Sequence, residues 1–359
     1  MSRFFNSCYS QLEPYTPGEQ PQDKKYIKLN TNESPFPPAP GVIAAVNKQE
    51  AENLRLYSDP ELKPLKKALA EAYHVEPANV FVSNGSDEAL NFAFMAFGED
   101  GIAYPDISYG FYKVFAAINH ISSDVKPLQP DFRIRPEDYK GVGKAVVIAN
   151  PNAPTGLLLS LKEISDIAAS NPEHVVIIDE AYIDFGGESA VELTKTYDNL
   201  LVVQTFSKSR ALAGARVGYA IGNKALIQDQ ETIKFSTNPY NVNRISMAAA
   251  VAAVQDPEYY AHCSQEIIRN REYTTIELRK LGFFVLDSYS NFVFARTDRI
   301  NGRKLYLDLK DRGILVRHFD DPKICEFNRI TIGTRQQMET LIETIKELLE
   351  LTTTAGGNV

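Results

Sequence analysis

A lysine set among hydroxyl side chains follows an apolar run. Leu200-Leu201-Val202-Val203-Gln204 leads into Thr205-Phe206-Ser207-Lys208-Ser209-Arg210, and Arg216 stands eight residues after the lysine. An amine kept in a pocket at the end of a buried strand can form a Schiff base with a carbonyl compound. The ordinary alternative is a solvated surface charge, so the decision rests on partners elsewhere. Asp179 ends another very apolar run, Val175-Val176-Ile177-Ile178. A carboxylate there is desolvated and needs a cation or hydrogen-bond donors. It either caps the next segment or holds a proton on a pyridine nitrogen. Tyr182, three residues on, reaches the same ligand or simply packs.

Asn84-Gly85-Ser86-Asp87 lies between a strand and a helix. Free N–H groups and the helix dipole make such a junction an anion site. The plainer reading, favoured locally, is a capped helix with Ser86 or Asp87 as N-cap. Arg216 lies among small residues and suits bidentate binding of a phosphate, or a surface ion pair. Tyr104, Tyr109 and Tyr112 offer flat faces for stacking, although an aromatic run is usually core. Pyridoxal phosphate would use these parts together: an amine, an acid at the ring nitrogen, a donor at the ring hydroxyl and a phosphate cup.

The elements that must position these residues follow from apolar patterning. Strands are expected at Asn79–Ser83, Ala145–Ala149, Val175–Ile178, Leu200–Gln204 and Val217–Ile221, with helices over 60–73, from Ser86 onward and at Leu161–Ala169. Apolar runs alternating with helical periods indicate a mostly parallel α/β sheet covered on both faces. Ligands bind beyond the carboxyl ends of such strands, where Gly85, Asn152, Asp179 and Lys208 all fall. After Asp256 the pattern changes to a helix over 257–280, short strands, a helix near 302–311 and a last helix over 335–350. This reads as a smaller α+β domain. The first forty residues are polar and Pro-rich, and composition leaves a flexible tail and an ordered arm equally open. Residues 351–359 read as a disordered tail.

The 359 residues suffice for two domains, and 44% hydrophobic with 23% charged residues is ordinary for a globular chain. A formal charge of −8 argues against a general nucleic-acid binder. No apolar run approaches the roughly 18 residues of a membrane span, and the start lacks an apolar core of signal-peptide length. Cys8, Cys263 and Cys325 form no Cys-x-x-Cys, so neither a disulfide framework nor structural zinc is expected, and a cytoplasmic setting fits. Gly-x-Gly-x-x-Gly and P-loop fingerprints are both missing.

From about Leu12 to Leu349 the chain resembles the fold-type I pyridoxal-phosphate aminotransferases, and within them the histidinol-phosphate aminotransferase family. The carrying motifs are Leu12-Glu13-Pro14-Tyr15-Thr16-Pro17-Gly18, Leu29-Asn30-Thr31-Asn32-Glu33-Ser34-Pro35, Ser83-Asn84-Gly85-Ser86-Asp87-Glu88, Asn150-Pro151-Asn152-Ala153-Pro154-Thr155-Gly156, Asp179-Glu180-Ala181-Tyr182, Ser207-Lys208-Ser209 and Arg329-Ile330-Thr331-Ile332-Gly333-Thr334-Arg335. The resemblance implies pyridoxal 5'-phosphate as cofactor, with Lys208 as the Schiff-base lysine. Asp179 would pair with the ring nitrogen and Tyr182 with the ring hydroxyl. Gly85, Ser86, Asp87, Ser207 and Arg216 would form the phosphate cup, and Tyr109 would stack on the ring. Tyr57 would reach the phosphate in a neighbouring subunit, which implies a homodimer with shared sites. Arg329 would bind a carboxylate, while Tyr15, Asn32 and Arg335 would complete the substrate site. The family usually has asparagine before Pro-Thr-Gly, where this chain has Ala153; either Asn152, one residue earlier, supplies the ring-hydroxyl contact or that contact is missing. The implied domains are an arm (1–40), a large cofactor-binding domain (41–256), a small domain (257–350) and a tail. The implied reaction is amino transfer between L-histidinol phosphate and 2-oxoglutarate, giving imidazole acetol phosphate and L-glutamate. Rival readings are an aromatic or broad-range aminotransferase, an amino-acid-phosphate decarboxylase using the same cofactor, and a cofactor-binding protein without turnover.

Overall fold

The computed structural model describes residues 2–10 and 12–355. The arm contributes β1 (Ile27–Lys28). The large sheet follows with β2 (Val80–Ser83), β3 (Ile102–Pro105), β4 (Ser123–Lys126), β5 (Ala145–Ala149), β6 (Val176–Asp179), β7 (Leu200–Thr205) and β8 (Gly218–Gly222). The C-terminal part adds β9 (Phe284–Val285), β10 (Phe292–Arg296), β11 (Ile314–Leu315), β12 (Arg317–His318) and β13 (Asn328–Thr331).

The large sheet runs β2-β8-β7-β6-β5-β3-β4. Only β8 opposes its neighbours; the other pairs are parallel. Strands β5, β6 and β7 are buried along their whole length. That is why they read as unbroken apolar runs rather than alternating ones. One face packs Val146, Ile148, Ile178 and Val202 against helices including Lys63–Tyr73 and Leu161–Ser170. The other packs Val147, Ile177 and Val203 against Ser86–Phe97 and Phe111–Ile118. Register fixes the edge where the chemistry sits. Asp179 pairs with Ala149 and Val203, and Ser83 and Thr205 both pair with Gly218. The carboxyl ends of β2, β5, β6 and β7 therefore share one edge. Gly218 is required there: a Cβ on it would lie 2.2 Å from the Ser86 backbone nitrogen, so only glycine lets β8 support the start of that helix.

The smaller sheet is antiparallel, β12-β13-β10-β9. The helices Pro257–Lys280 and Arg335–Ala355 pack beside it. Of the two readings of the N-terminus, the ordered arm is the one found. β1 pairs in parallel with β11. Leu29, 1% exposed, joins the core formed by Phe292, Ile330 and Leu341.

Two boundaries are corrected. The helix expected from residue 60 begins at Lys63. Asp59 accepts hydrogen bonds from the Glu61 and Lys63 backbone, and Leu62 takes a left-handed conformation, φ +52°. The last helix continues to Ala355 instead of giving way to a tail at 351. Neither proline nor glycine interrupts the sequence before Gly356. The rest of the expected tail, 356–359, lies outside the described residues.

Candidate active site

Two joined chambers open at the shared strand edge. The inner one, about 200 Å³, is lined by Ser86, Asp87, Asp179, Ser207 and Arg216 among others. The outer one, about 480 Å³, is lined by Tyr15, Asn32, Arg317 and Arg329 among others. Thr31, Tyr109, Ala153, Tyr182 and Lys208 line both, so the lysine stands at the junction.

Lys208 follows the turn that ends β7. The turn is set by the Ser207 backbone N–H donating to Thr205 Oγ1 at 3.1 Å, and by Ser209 hydrogen-bonding Asp184. Lys208 Nζ donates to the Thr31 carbonyl at 3.3 Å and lies 5.8 Å from the Tyr182 ring centroid. Its amine thus has a single weak partner and a free approach from either chamber.

Asp179 is 4% exposed. Its oxygens accept from Tyr112 Oη at 2.8 Å and from the Ala181 N–H at 3.2 Å. Burial raises its pKa to about 6, against the opposing effect of those two hydrogen bonds. The carboxylate therefore caps the following turn and also lines the inner chamber. Tyr112, considered from sequence only as a stacking face, is instead the buried donor that holds Asp179. Tyr104 spends its hydroxyl on Ser123. Of the three tyrosines, Tyr109 alone lines the chambers. Its hydroxyl donates to Asp87 at 2.6 Å, and burial with that carboxylate keeps its pKa well above 10.

The helix Ser86–Phe97 starts without a side-chain cap. The expected Ser86 or Asp87 cap is absent because Gly85, at φ +75°, occupies the N-cap position. The first N–H groups are left for a ligand. Arg216 closes over this end, where a Cβ on Gly85 would meet its Nη2 at 2.5 Å. Arg216 also pairs with Asp87 at 3.1 Å, with both side chains partly exposed. Such a pair contributes little, so an incoming phosphate can take over the guanidinium. These residues fit a flat molecule carrying a phosphate, a protonated ring nitrogen and a carbonyl: helix N–H groups and Arg216 at one end, a buried acid at the other, an amine between.

In the outer chamber Tyr15 stacks on Phe111, with centroids 4.2 Å apart. Arg329 donates to the Asn30 carbonyl at 2.9 Å, while its buried Nε has no partner among the described residues. Arg317 donates to the Thr16 and Pro17 carbonyls at 3.0 and 3.1 Å. Sequence reasoning missed Arg317. The available signal was a cation directly after the apolar run Ile314-Leu315-Val316.

Three expected site residues, Asn152, Arg335 and Tyr57, line neither chamber. The Asn152 amide is committed to the Ile107 carbonyl and to Ser108 at 2.9 and 2.7 Å. Ala153 faces both chambers in its place, without a polar atom. Arg335 starts a helix instead of entering the cavity. It pairs with Glu339 one turn on at 2.8 Å and lies 3.4 Å from the Tyr273 ring centroid. Arg335→Ala is expected to leave kcat and KM within about twofold and stability within about 0.5 kcal/mol. A tenfold rise in KM for either substrate would return it to the site. Tyr57 is 80% exposed and stacks on Tyr240 at 4.5 Å.

A family model described as aminotransferase class I and II matches residues 24–345. The histidinol-phosphate aminotransferase of Brachyspira hyodysenteriae is 51% identical over 98% of this chain and 100% of its own. The enzyme of that name from Marinomonas sp. is 50% identical over 97% and 100%. Among solved structures, histidinol-phosphate aminotransferase from Sinorhizobium meliloti in complex with pyridoxal-5'-phosphate superposes with TM-score 0.83 at 26% identity, covering 91% of this chain and 92% of that one. With a lysine, a buried acid and an anion cup gathered at the sheet edge, this chain belongs to the class I and II aminotransferases.

Proposed function

We propose that the protein transfers an amino group between L-histidinol phosphate and 2-oxoglutarate, a step of histidine biosynthesis, using pyridoxal 5'-phosphate. The observation that supports this reading is Lys208 at the junction of two chambers, an inner one with an uncapped helix start and a buried acid and an outer one lined by Arg317 and Arg329. When bound, the cofactor supplies an electrophilic carbon and a ring that accepts the electron pair released at the substrate's amine-bearing carbon.

The chain's own residues do the rest. The first turn of helix Ser86–Phe97, Ser207 and Arg216 hold the phosphate. Asp179, as a carboxylate, would keep a proton on the ring nitrogen, and Tyr109 would cover the ring. Lys208 would be the amine that holds the cofactor's carbonyl carbon and, once free, the base that moves a proton at the substrate's amine-bearing carbon. Arg317 and Arg329 bind the phosphate of one substrate and the far carboxylate of the other, which lets one pocket accept both anions. Tyr15, from the arm, closes over the substrate. The exposed Tyr57 supports a homodimer in which it reaches the partner subunit's phosphate cup. We also place the domain boundaries at residues 40 and 256, with the small domain running to the end of the last helix at Ala355, and the protein in the cytoplasm, in keeping with three cysteines that form no Cys-x-x-Cys.

The test mixes cofactor-loaded protein with L-histidinol phosphate or L-phenylalanine and follows the visible absorbance. Rapid bleaching by histidinol phosphate, restored by 2-oxoglutarate, is expected. Faster bleaching by phenylalanine would favour a broad aromatic aminotransferase, which the Tyr15–Phe111–Tyr109 wall could also serve. Release of carbon dioxide would indicate a decarboxylase. Arg317→Ala is expected to raise KM for histidinol phosphate about ten- to a hundredfold, the loss of one or two charged hydrogen bonds. Unchanged KM values would remove Arg317 from the substrate site.

A further inference from the structure

Tyr182 stands between the chambers, and its hydroxyl oxygen accepts a hydrogen bond of 2.9 Å from Asn32 Nδ2. What lies behind fixes the direction of that bond. The Asn32 backbone N–H donates to Thr331 Oγ1 at 3.0 Å. The Thr331 hydroxyl must then give its own proton elsewhere, and it donates to Asn32 Oδ1 at 2.9 Å. The amide oxygen of Asn32 therefore faces Thr331, and its NH2 faces Tyr182. The Asn32 carbonyl is held in turn by Asn291 Nδ2 at 3.0 Å. Asn32 is 1% exposed and sits at φ +56°, a conformation asparagine tolerates better than most residues. With its oxygen already accepting, the Tyr182 hydroxyl can send its proton only into the cavity. The loop after β5 supplies no second donor: Ala153 has no polar side-chain atom, and Asn152 is committed elsewhere.

We propose that Asn32 is a positioning residue whose amide locks the Tyr182 hydroxyl as a donor to the ring oxygen of the bound cofactor, and that this lock stands in for the asparagine missing at position 153. The proposal rests on the pyridoxal-phosphate reading above. It also ties three parts of the chain together, because Asn32 lies on the arm, Thr331 lies on β13 two residues from Arg329, and Tyr182 follows β6. A donor at the ring oxygen stabilises it as an anion and weakens its hold on the proton shared with the Lys208 nitrogen. Losing the lock makes that nitrogen more basic. The charged and titratable groups around Tyr182 and the Lys208 nitrogen include Arg329, Tyr15, Tyr112, Asp179 and Glu33, and the test leaves all of them and Lys208 in place.

The experiment titrates the visible absorbance of the loaded protein against pH, without substrate. Asn32→Gly suits the left-handed backbone and removes the amide. Its midpoint is expected to rise by about one pH unit, the effect of one hydrogen bond. Tyr182→Phe should rise similarly, and the double variant should rise no further than Tyr182→Phe alone. Thr331→Val, which keeps its shape but frees the Asn32 amide to turn, should shift the midpoint in the same direction by less; it carries the test if Asn32→Gly does not fold. An unchanged midpoint in a normally loaded Asn32→Gly or Thr331→Val protein would overturn the proposal alone. So would shifts that add in the double variant. A wild-type protein that never acquires a visible band would overturn the cofactor reading and this inference with it.

Discussion

Lys208→Ala is expected to lower single-turnover formation of glutamate by about 10⁴-fold or more, with the thermal unfolding transition retained. Proton transfer by a placed side chain contributes about 10²–10⁴ by itself, and the same amine is the proposed nucleophile. Among the described residues, Lys208 is the only lysine lining both chambers. The other lysine of the outer chamber, Lys113, is paired with Glu13 at 3.6 Å. Lys208→Arg should be nearly as inactive, because a guanidinium stays charged at any working pH and cannot accept the proton. Either variant retaining turnover within tenfold of wild type would move the chemistry to another residue.

Asp179→Asn is expected to reduce kcat by about 10²–10³, the usual loss when one preorganised electrostatic partner is removed from a buried site. The amide keeps the size of the carboxylate but not the charge that would hold a proton on the ring nitrogen. The same substitution has a signature in the cofactor-free protein. Burial raises the Asp179 pKa from 3.8 to about 6. Below pH 4 folded and unfolded chains both carry the proton, so the group has no effect on stability. Between about 4 and 6 the unfolded chain releases it first, and stability falls as pH rises, by roughly 3 kcal/mol in all. Above 6 no further change comes from this group. Glu180, raised by burial from 4.5 to about 7, adds a decline of the same sign over its own window. Denaturant titrations of cofactor-free wild-type and Asp179→Asn protein at pH 4.5, 5.5 and 6.5 should therefore converge at the acid end and separate toward neutrality, with the variant less pH-sensitive. Parallel curves would mean that Asp179 is not desolvated.

The parallel sheet and its ligand edge were legible because buried strands are apolar throughout. Strands β5, β6 and β7 announce themselves without knowledge of their neighbours. β4, Ser123-Asp124-Val125-Lys126, did not: as an edge strand with alternating exposure it carries charges, and its pairing with β3 is tertiary information. Lys208, Asp179 and the Gly85–Asp87 junction stood out for the same local reason, since each is a polar residue directly after an apolar strand or at a strand–helix turn.

By itself, the sequence determined the elements, their alternation, and the polar residues placed at strand ends, because periodicity and burial leave their mark within a few neighbouring positions. Only the tertiary structure decided which of those residues converge. Arg317 reaches carbonyls about three hundred positions earlier, at Thr16 and Pro17, whereas Arg335, in an equally suggestive motif, is turned outward by the helix it begins. Asn152 and Ala153 are adjacent, yet the loop buries the amide and presents the methyl. Tyr112 and Tyr109 are one helical turn apart, yet one holds Asp179 while the other lines the cavity. Such choices depend on how the arm, the loop after β5 and the two sheets pack around one edge, and that packing has no local trace in the order of residues.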